Sequence, residues 1–387
     1  MEVFSFNLKI PIKSWAFDLE DGAHAQAINL ANHPATFHHV ALMPDCHQGY
    51  GMPIGGVMAC EKAIIPNAVG VDIGCGMRAV KTSLEGLNEY LIKEIMGFVR
   101  ERVPVGFNHH KERQENDLVM PGTFGPIMAQ EEGNLDYQIG TLGGGNHFIE
   151  IQKGDDGRIW FMIHSGSRNF GKKVCDYYNK EAKKLNARWY SKADESADLA
   201  FLPIGEQITK LYIHEMKFAL DFAKENRRLI ALQAKEAFSQ IAGALFEEEY
   251  DVHHNYATVE NHFKKNVWIH RKGATSAKEG QIGIIPGSMG THSYIVRGKG
   301  NPESFMSCSH GAGRVMGRKE ASRILTEGEC DKAMEGIIFG RWGKDRKGNI
   351  DLGEAPQAYK NIDQVIEAQA DLIEPLVKLK PLGVIKA

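Results

Sequence analysis

The sequence lacks any closely spaced pair of cysteines. None of its six cysteines forms a C-x-x-C motif, which excludes a zinc ribbon and a thioredoxin-type site. In a chain of 387 residues, scattered cysteines are typical of free thiols in a reducing compartment. The cysteines are Cys46, Cys60, Cys75, Cys175, Cys308 and Cys330.

Long apolar runs are also missing. No stretch is long enough to cross a membrane, and residues 1–15 have no apolar segment of the kind found in signal peptides. We therefore expect a soluble, cytoplasmic protein with no membrane partner.

An excess of positive charge is absent, since the formal net charge is -3. A protein that grips long duplex nucleic acid by charge alone is normally basic. If this protein handles RNA, its positive charge must be local, in a cleft or around the site.

Three common nucleotide and hydrolase motifs are absent as well. The sequence contains no Walker A loop, and the G-x-G at Gly311 lacks the third glycine of a dinucleotide-binding motif. Pro286 replaces the first glycine of a nucleophile elbow around Ser288. These absences exclude the most familiar phosphate-binding and serine-hydrolase architectures.

The composition, 43% hydrophobic and 25% charged, is that of an ordinary globular protein. Patterning predicts strands at 158–164, 266–270 and 292–297, one or two helices over 205–249, and a final helix over 363–379. Strands and helices do not alternate regularly. We therefore expect an α+β fold with an irregular mixed-sheet core and surrounding helices.

Glycine is abundant, with 41 residues, and it is clustered. Glycine clusters beside apolar runs indicate strand ends and tight turns where the backbone approaches another group closely. The clusters lie at 49–56, 70–76, 143–145, 166–171, 283–290 and 311–317.

Metal-binding side chains are concentrated at several of these turns and strand ends. Asp72 and Cys75 share one glycine-flanked turn, while His147, His164 and His254 lie in three other segments. Each could instead be structural: a buried thiol with a capping carboxylate, or a histidine in a turn. A thiolate favours zinc or iron, whereas carboxylate and imidazole suit manganese or zinc. The residues alone predict a divalent transition metal.

Two further glycine-rich segments are suited to phosphate. Residues 285–290 offer successive backbone N–H groups in a tight turn, which is how a phosphate oxygen is often held. In residues 307–314, His310 stands between small residues, with Arg314 four positions on. The alternative for both segments is a structural turn.

Two chemistries fit a metal site beside a phosphate site. A metal-activated water could hydrolyse a phosphoester. Alternatively, a side chain such as His310 could attack the α-phosphate of a nucleotide and become covalently nucleotidylated.

Long segments of this sequence resemble the RtcB family of RNA-splicing ligases, and they follow one another in the same order as in that family. The resemblance implies a single RtcB-type catalytic domain over residues 1–387. The segments that carry it are MPDCHQGYGMPIGGV (43–57), VGVDIGCGMRA (69–79), GTLGGGNHFIE (140–150), HSGSR (164–168), HHNY (253–256), HRKGATSA (270–277), GIIPGSMGTHSYIVRG (283–298), SCSHGAGR (307–314) and EAPQAYKNID (354–363).

The resemblance implies a ligase that uses GTP and two Mn²⁺ ions. Its RNA substrates would carry a 2′,3′-cyclic phosphate or 3′-phosphate end and a 5′-hydroxyl end, in tRNA splicing or RNA repair. By this resemblance, His310 is the catalytic residue that accepts GMP from GTP. Some family members use a small accessory protein, archease, so an archease-like activator is a further candidate partner.

The resemblance also assigns site residues. The implied metal ligands are Asp72, Cys75, His147, His164 and His254, with the Cys75 thiolate bridging both ions. Lys386 should reach the guanine base, with Tyr359 near it. The implied nucleotide-binding residues are Asn146, His147, Glu150, His254, Asn255, Pro286, Gly287, Ser288, Met289, Ser293, His310, Gly311, Ala312, Gly313 and Lys386.

Two alternatives stand beside the ligase hypothesis. One is a dinuclear metal-dependent phosphodiesterase in which His310 only contacts phosphate. The other is a non-catalytic RNA-end-binding protein. The sequence departs from the family at Arg168-Asn-Phe-Gly, where Arg-Gly-x-Gly is commoner, and this change would reshape the loop beside His164.

Overall fold

The computed structural model describes residues 1–120, 122, 125–344 and 348–386. Within these ranges the chain has the α+β fold that the sequence predicts, with helices around mixed sheets. The helices are α1 (Asp21–Asn32), α2 (Pro66–Val69), α3 (Glu89–Arg102), α4 (Pro126–Gln138), α5 (Arg168–Arg188), α6 (Gln207–Ala242), α7 (Arg318–Ile324), α8 (Glu327–Ala333) and α9 (Ile362–Glu367). The strands are β1 (Glu2–Phe4), β2 (Ile12–Ser14), β3 (Thr36–His47), β4 (Ile54–Cys60), β5 (Ala63–Ile64), β6 (Gly76–Thr82), β7 (Phe148–Gly154), β8 (Ile159–Ser165), β9 (Leu202–Pro203), β10 (Phe246–His253), β11 (Asn255–His262), β12 (Lys265–Lys272), β13 (Ala274–Ser276), β14 (Ile282–Ile285), β15 (Ser293–Gly298), β16 (Ser307–Ser309), β17 (Ile338–Phe339), β18 (Gly343–Lys344), β19 (Ile350–Asp351) and β20 (Ile373–Ile385).

Two larger sheets form the centre of the molecule. One has six strands in the order β1-β2-β3-β4-β12-β11, and the other has the order β10-β6-β8-β7-β20-β15-β14, with β17 added beside β20. Most neighbouring strands are antiparallel, but β2 runs parallel to β3 and β17 parallel to β20. The sheets are therefore mixed, as expected.

The two sheets pack on a common apolar core, and the chain passes directly from one sheet to the other at His254. Ala41 and Val57 from the six-stranded sheet pack in the same cluster as Ile285 and Val296 from the other sheet. His254 is the single residue between β10 in one sheet and β11 in the other. A side chain at this crossing can therefore meet groups from both sheets.

The long helix α6 covers one face of the larger sheet together with α3. Ile230 and Phe238 of α6 pack against Phe161 of β8 and Ile92 of α3. The helix ends at Gly243, whose φ of +66° is a left-handed conformation that glycine adopts without strain. The segment 205–249 is thus one helix, and its last residues belong to β10. Despite its length, neither α6 nor any other helix in the described ranges is apolar enough to cross a membrane.

The predicted final helix over 363–379 is wrong. Helix α9 ends at Glu367, and the chain then continues as strand β20. Pro375 cannot sit in a helix interior, because it lacks an N–H and its ring clashes with the preceding turn. Strand β20 pairs with β15 and β7, and its register shifts next to Pro375 and Pro381. Prolines are tolerated at such irregular positions in a sheet.

The other predicted strands are confirmed. The segment 158–164 becomes β8, 266–270 lies inside β12, and 292–297 becomes β15.

Candidate active site

Four separate segments carry the predicted metal ligands to one place. Asp72 and Cys75 form a turn directly before β6, and His147 directly precedes β7. His164 lies on β8, which pairs with both of these strands. His254 joins them from the crossing between the sheets, where its N–H donates to the carbonyl of Cys75 at 2.9 Å.

The donor atoms form two triads that share one sulfur. Cys75 Sγ lies 3.4 Å from His147 Nε2 and 3.2 Å from His164 Nε2. His147 Nε2 lies 3.1 Å from Asp72 Oδ2, and His164 Nε2 lies 3.3 Å from His254 Nε2. In each triad, Asp72–Cys75–His147 or Cys75–His164–His254, the donor atoms lie within 4.8 Å of one another. The two triads are therefore two candidate cation sites, and Cys75 would be a ligand in either.

Two of the imidazoles are oriented by backbone carbonyls. His147 Nδ1 lies 3.0 Å from the carbonyl oxygen of Leu142, and His164 Nδ1 lies 3.1 Å from that of Asn146. Because a carbonyl only accepts, these shorter contacts favour a proton on each Nδ1; at His147 the Arg168 guanidinium, which only donates, lies farther from Nδ1, at 3.4 Å. The Nε2 lone pairs are therefore directed at the cluster, as a metal ligand requires.

Burial sets the protonation of the cluster. It lowers the pKa of His164 and of His254 well below the usual value, and neighbouring histidines lower it further, so both rings are neutral. Burial raises the pKa of the Cys75 thiol well above its usual value, and the Asp72 carboxylate adds to this. Such a thiol becomes a thiolate only against compensating positive charge. The donor set therefore fits divalent transition-metal cations.

His310 lies at the edge of this cluster and is oriented by a buried aspartate. Its Nδ1 is 2.6 Å from Asp45 Oδ2, and its ring centroid is 4.8 Å from that of His254. Asp45 is fully buried near the end of β3, and it also accepts from the backbone N–H groups of His310 and Gly311 at 3.0 and 3.3 Å. Nδ1 therefore carries the ring proton, and the Nε2 lone pair is available for reaction.

The sequence interpretation did not identify Asp45. A signal existed: Asp45 is a lone carboxylate next to the apolar run 40–43, inside one of the family-like segments. A charged group that ends a buried strand needs a partner, and here the partner is His310.

A cavity of about 140 Å³ opens beside His310. Most of the predicted nucleotide-binding residues line it, together with side chains that the sequence did not single out. The predicted ones are Asn146, Pro286, Gly287, Ser288, Met289, His310, Gly311, Ala312, Gly313 and Lys386, and the additional ones are His47, Ile54, Phe148 and Arg318. Arg314, which the sequence places four positions after His310, lines the cavity as well. His164 and Tyr359 also contribute to the wall.

Three predicted residues lie behind the cavity wall. Asn255 donates to the Asp72 carbonyl at 3.1 Å and accepts from the Gly273 N–H at 2.7 Å, so it braces the metal-ligand turn. Ser293 accepts from the Gly287 N–H at 3.1 Å. Glu150 is buried on β7, where burial raises its pKa to about 8.

The loop at 285–290 uses some of its amides internally. The N–H of Gly287 donates to Ser293 Oγ, and the N–H of Ser288 donates to Thr291 Oγ1 at 2.8 Å. The sequence predicts that these amides hold phosphate oxygens. In this conformation the hydroxyl groups of Thr291 and Ser293 occupy that role, and a phosphate would have to replace them.

The far end of the cavity is positively charged. Glu354 accepts from Lys386 at 2.9 Å and from Arg318 at 2.6 Å, and it also lies 3.3 Å from Arg314. Burial alone would raise the pKa of Glu354, but Lys386 and Arg318 outweigh it and hold that pKa far below its usual range. Three cations thus face one carboxylate, so positive charge is concentrated here in a chain whose net charge is -3.

Helix α6 braces the metal-ligand loops through Arg227. This fully buried guanidinium donates to the carbonyls of Gly74 at 3.0 Å and Ser165 at 2.9 Å, next to two of the ligands. Its charge is balanced by Asp251, at 2.7 and 2.9 Å. The sequence interpretation missed Arg227, because the stretch 175–250 carries no recognisable motif.

Comparison with known proteins places this chain in a family. A family model described as tRNA-splicing ligase RtcB matches residues 26–123 and 124–387. The RNA-splicing ligase RtcB of Escherichia coli (strain K12) is 38% identical to this chain, and the alignment covers 97% of each of the two proteins. The tRNA-splicing ligases RtcB of Pyrobaculum aerophilum and Methanococcus maripaludis are 31% and 32% identical, and the alignments cover 98% and 95% of this chain and 95% and 92% of theirs. The chain therefore belongs to the RtcB family of RNA-splicing ligases.

Proposed function

We propose that this protein joins RNA ends through a GMP group carried on His310, using GTP and two Mn²⁺ ions. The observation that carries this proposal is the environment of His310. Its Nδ1 is bonded to buried Asp45, so its Nε2 lone pair is free at the rim of a cavity beside the two triads of metal donors.

In the first step, His310 Nε2 attacks the α-phosphorus of GTP. A P–N bond forms, the P–O bond to the β-phosphate breaks, and pyrophosphate leaves. The ring proton stays on Nδ1, where the Asp45 carboxylate balances the positive charge that the imidazole gains. Asp45 thus acts as a positioning residue for His310.

In the later steps, the GMP group moves to RNA. An oxygen of the RNA 3′-phosphate attacks the α-phosphorus, the P–N bond breaks, and Nε2 regains its lone pair. The 5′-hydroxyl oxygen of the second RNA end then attacks the phosphorus of the activated 3′-phosphate and loses its proton to solvent. The P–O bond that joins this phosphorus to GMP breaks, and GMP leaves. A 2′,3′-cyclic phosphate would first be opened by hydrolysis.

Two cations would be held by Asp72, Cys75, His147, His164 and His254, with Cys75 common to both. When bound, they would supply positive charge that neutralises the triphosphate and aligns the attacking and leaving oxygens. Family membership favours manganese, whereas the thiolate by itself suits zinc or iron.

The guanine base would lie towards Lys386. The Lys386 Nζ donates to Glu354 at the cavity's far end, and Tyr359 lies on the same wall. An archease-like protein is proposed as an activating partner by the same family relationship.

One experiment separates this function from its two alternatives. The protein is incubated with Mn²⁺ and α-labelled GTP, denatured, and examined for label on the polypeptide. The ligase hypothesis predicts acid-labile label that survives denaturation and is absent in His310→Ala. A phosphodiesterase would release phosphate without labelling the protein, and a non-catalytic RNA-end binder would do neither.

The matched control is His109→Ala, which removes an exposed imidazole outside the cluster. This variant should be labelled like the parent protein. Label that persists in His310→Ala, with the parent and the control labelled alike, would contradict the proposed role of His310.

A further inference from the structure

The loop between β3 and β4 borders the cavity beside His310. His47 directly before this loop and Ile54 directly after it both line the cavity. Gly273 packs between the base of the loop and the nucleophile, because a Cβ added to it would lie 2.3 Å from the Ile54 side chain and 3.0 Å from the His310 ring. The loop therefore leaves the cavity wall next to His310. We call residues 48–53 the Tyr50 loop.

The backbone of the Tyr50 loop is fixed by side chains from two other elements. Gln26 of α1 donates to the Gly49 carbonyl at 2.7 Å and accepts from the Gly49 N–H at 3.0 Å. Lys272, at the end of β12, donates to the carbonyl of Tyr50 and, at 3.2 Å, to that of Asn67. Burial lowers the pKa of Lys272 to about 8. Burying an ammonium group is costly unless it is hydrogen-bonded, and this one is bonded to the backbone of the loop.

The Tyr50 side chain, by contrast, has no structural use in the fold. It is 80% exposed, although the backbone that carries it is fixed. Within the described part of the chain its hydroxyl has no hydrogen-bond partner and its ring contacts no other ring. A single exposed ring is ordinary on a protein surface. Here, however, a buried lysine holds it at the edge of a reactive cavity, where the ring is available to a ligand.

The charges beside the Tyr50 loop do not suit phosphate. Glu20 accepts from the backbone N–H of Gln48. Asp198 lies beside Gly51, and the lysine near it, Lys183, is already paired with its carboxylate. Carboxylates repel phosphate, whereas a base can stack on a ring without any charge, because every base has a π-face. The loop is therefore suited to a base of a nucleic acid and not to its phosphate backbone.

We propose that the Tyr50 ring stacks on a base of the RNA, in a nucleotide that adjoins a reacting end. This proposal rests on the ligase function proposed above and gives Tyr50 a positioning role in it. Unpaired bases that stack on aromatic side chains are typical of single-stranded RNA recognition. Tyr50 is three residues from His47, a span of at most about 11 Å. The loop adjoins His310, whereas guanine is proposed to lie towards Lys386, so the strand need not cross the guanine position.

The test measures the binding of short fluorescent oligoribonucleotides to the full-length protein, one with a 3′-phosphate end and one with a 5′-hydroxyl end. Tyr50→Ala should bind RNA about tenfold more weakly, because the stacking is lost. Tyr50→Phe keeps the ring and should bind like the parent. The slope of log affinity against log salt should be unchanged in both variants, because no phosphate contact is removed.

The matched control is Tyr90→Ala, which removes a ring that is 68% exposed on α3 and does not line the cavity beside His310. A Tyr50→Ala variant that binds RNA as tightly as this control would overturn the proposal. A smaller salt slope in Tyr50→Ala would also overturn it, because the loop would then contact phosphate. A loss confined to one oligonucleotide would support the proposal and identify the strand that the ring holds.

The GMP-transfer assay separates this proposal from a structural role of Tyr50 and from the ligase function itself. Because His47 and Ile54 line the cavity, a disturbed loop would slow GMP transfer to His310. In Tyr50→Ala we expect the parental rate of GMP transfer and a joining reaction whose KM for RNA rises about tenfold with kcat unchanged. A matching loss of GMP transfer would overturn the proposal. A parent protein that accepts no GMP would refute the ligase function instead, and the binding measurements would still decide the role of Tyr50.

Discussion

At His310, a single side-chain hydrogen bond determines which ring nitrogen can react. Asp45 accepts from Nδ1 and from two backbone N–H groups, so one carboxylate fixes both the ring and the turn that carries it. His147 and His164 are oriented in a similar way, because the Nδ1 atom of each lies within hydrogen-bond distance of a backbone carbonyl oxygen. In this site, therefore, the hydrogen-bond partner of each imidazole determines that the lone pair lies on Nε2.

Asp45→Asn should slow GMP transfer to His310 roughly 10²- to 10⁴-fold. The amide no longer balances the positive charge on the ring, and its NH₂ group can favour the wrong tautomer. The measurement is the rate of protein labelling with α-labelled GTP, alongside the metal content, which should not change. Asp371→Asn, at a carboxylate bonded to Trp15, is the control. A parental rate in Asp45→Asn would refute the positioning role.

Lys386→Met should reduce the preference for GTP over ATP about tenfold or more. The Lys386 ammonium can donate to the carbonyl oxygen of guanine, whereas adenine presents an amino group there, and a charged hydrogen bond contributes about 1.5–3 kcal/mol. The measurement is the ratio of labelling rates with the two nucleotides. Lys380→Met, at an exposed position on β20, should keep the parental ratio. Equal use of ATP and GTP by the parent would contradict this role for Lys386.

At the scale of elements, α6 connects the cluster of candidate metal donors to the apolar core. Arg227 donates to the two loops that carry Cys75 and His164, and Asp251 on β10 holds Arg227 in place. Burial by itself would raise the pKa of Asp251, but the Arg227 and Arg78 guanidinium groups outweigh it and lower that pKa to about 2. The helix therefore supports the metal ligands through one buried ion pair.

Asp251→Asn should lower the free energy of unfolding by about 3 kcal/mol near neutral pH, since it leaves Arg227 buried without its counter-charge. A folded pKa below the unfolded value means that the carboxylate stabilises the fold above about pH 4 and loses this effect as pH falls towards 2. About 2 kcal/mol of the difference between parent and variant should disappear over that range. Urea denaturation at several pH values measures it.

The control is Glu374→Gln, which breaks the exposed pair with Arg297. An exposed pair contributes less than about 1 kcal/mol, so this variant should unfold almost like the parent at neutral pH. An Asp251→Asn variant that is no less stable than this control would show that the pair does not brace the loops.

At the scale of the whole molecule, the candidate metal donors lie where the chain crosses between the two larger sheets. Asp72, Cys75, His147 and His164 belong to the eight-stranded sheet or its turns, and His254 is the crossing residue between the sheets. Because the donors converge only in the folded chain, a cation that binds to them would stabilise the fold.

Chelation should therefore lower the melting temperature of the Mn²⁺-loaded protein by about 5 °C. A cation present at 100 times its dissociation constant stabilises the folded state by about 2.7 kcal/mol, and each kcal/mol shifts the melting temperature by about 2–4 °C in medium-sized domains. Thermal unfolding with and without chelator measures the shift.

Cys75→Ser should abolish most of this shift and weaken metal binding about 10- to 100-fold or more. Cys175→Ser is the matched control, since Cys175 Sγ already donates to the Pro66 carbonyl and a hydroxyl can do the same. Unchanged metal content in Cys75→Ser would show that the ligand set is wrong.

The sequence by itself determined the family, the mixed α+β class and which His, Cys and Asp side chains form the cluster of candidate metal donors. These properties reside in short contiguous strings, such as the Asp72–Cys75 turn and the His310 segment, whose glycines and donors are local features. Strands β8 and β15 could likewise be predicted, because alternation and apolar runs are local patterns.

Only the tertiary structure decided which distant groups meet. Asp45 and His310 are 265 positions apart, and Arg227 and Gly74 are 153 positions apart. The same cause explains why 373–385 is a strand: its hydrogen-bond partners, β7 and β15, lie elsewhere in the chain. Pairings of this kind depend on how the sheets and helices pack, and packing energy is not encoded in any single stretch of sequence.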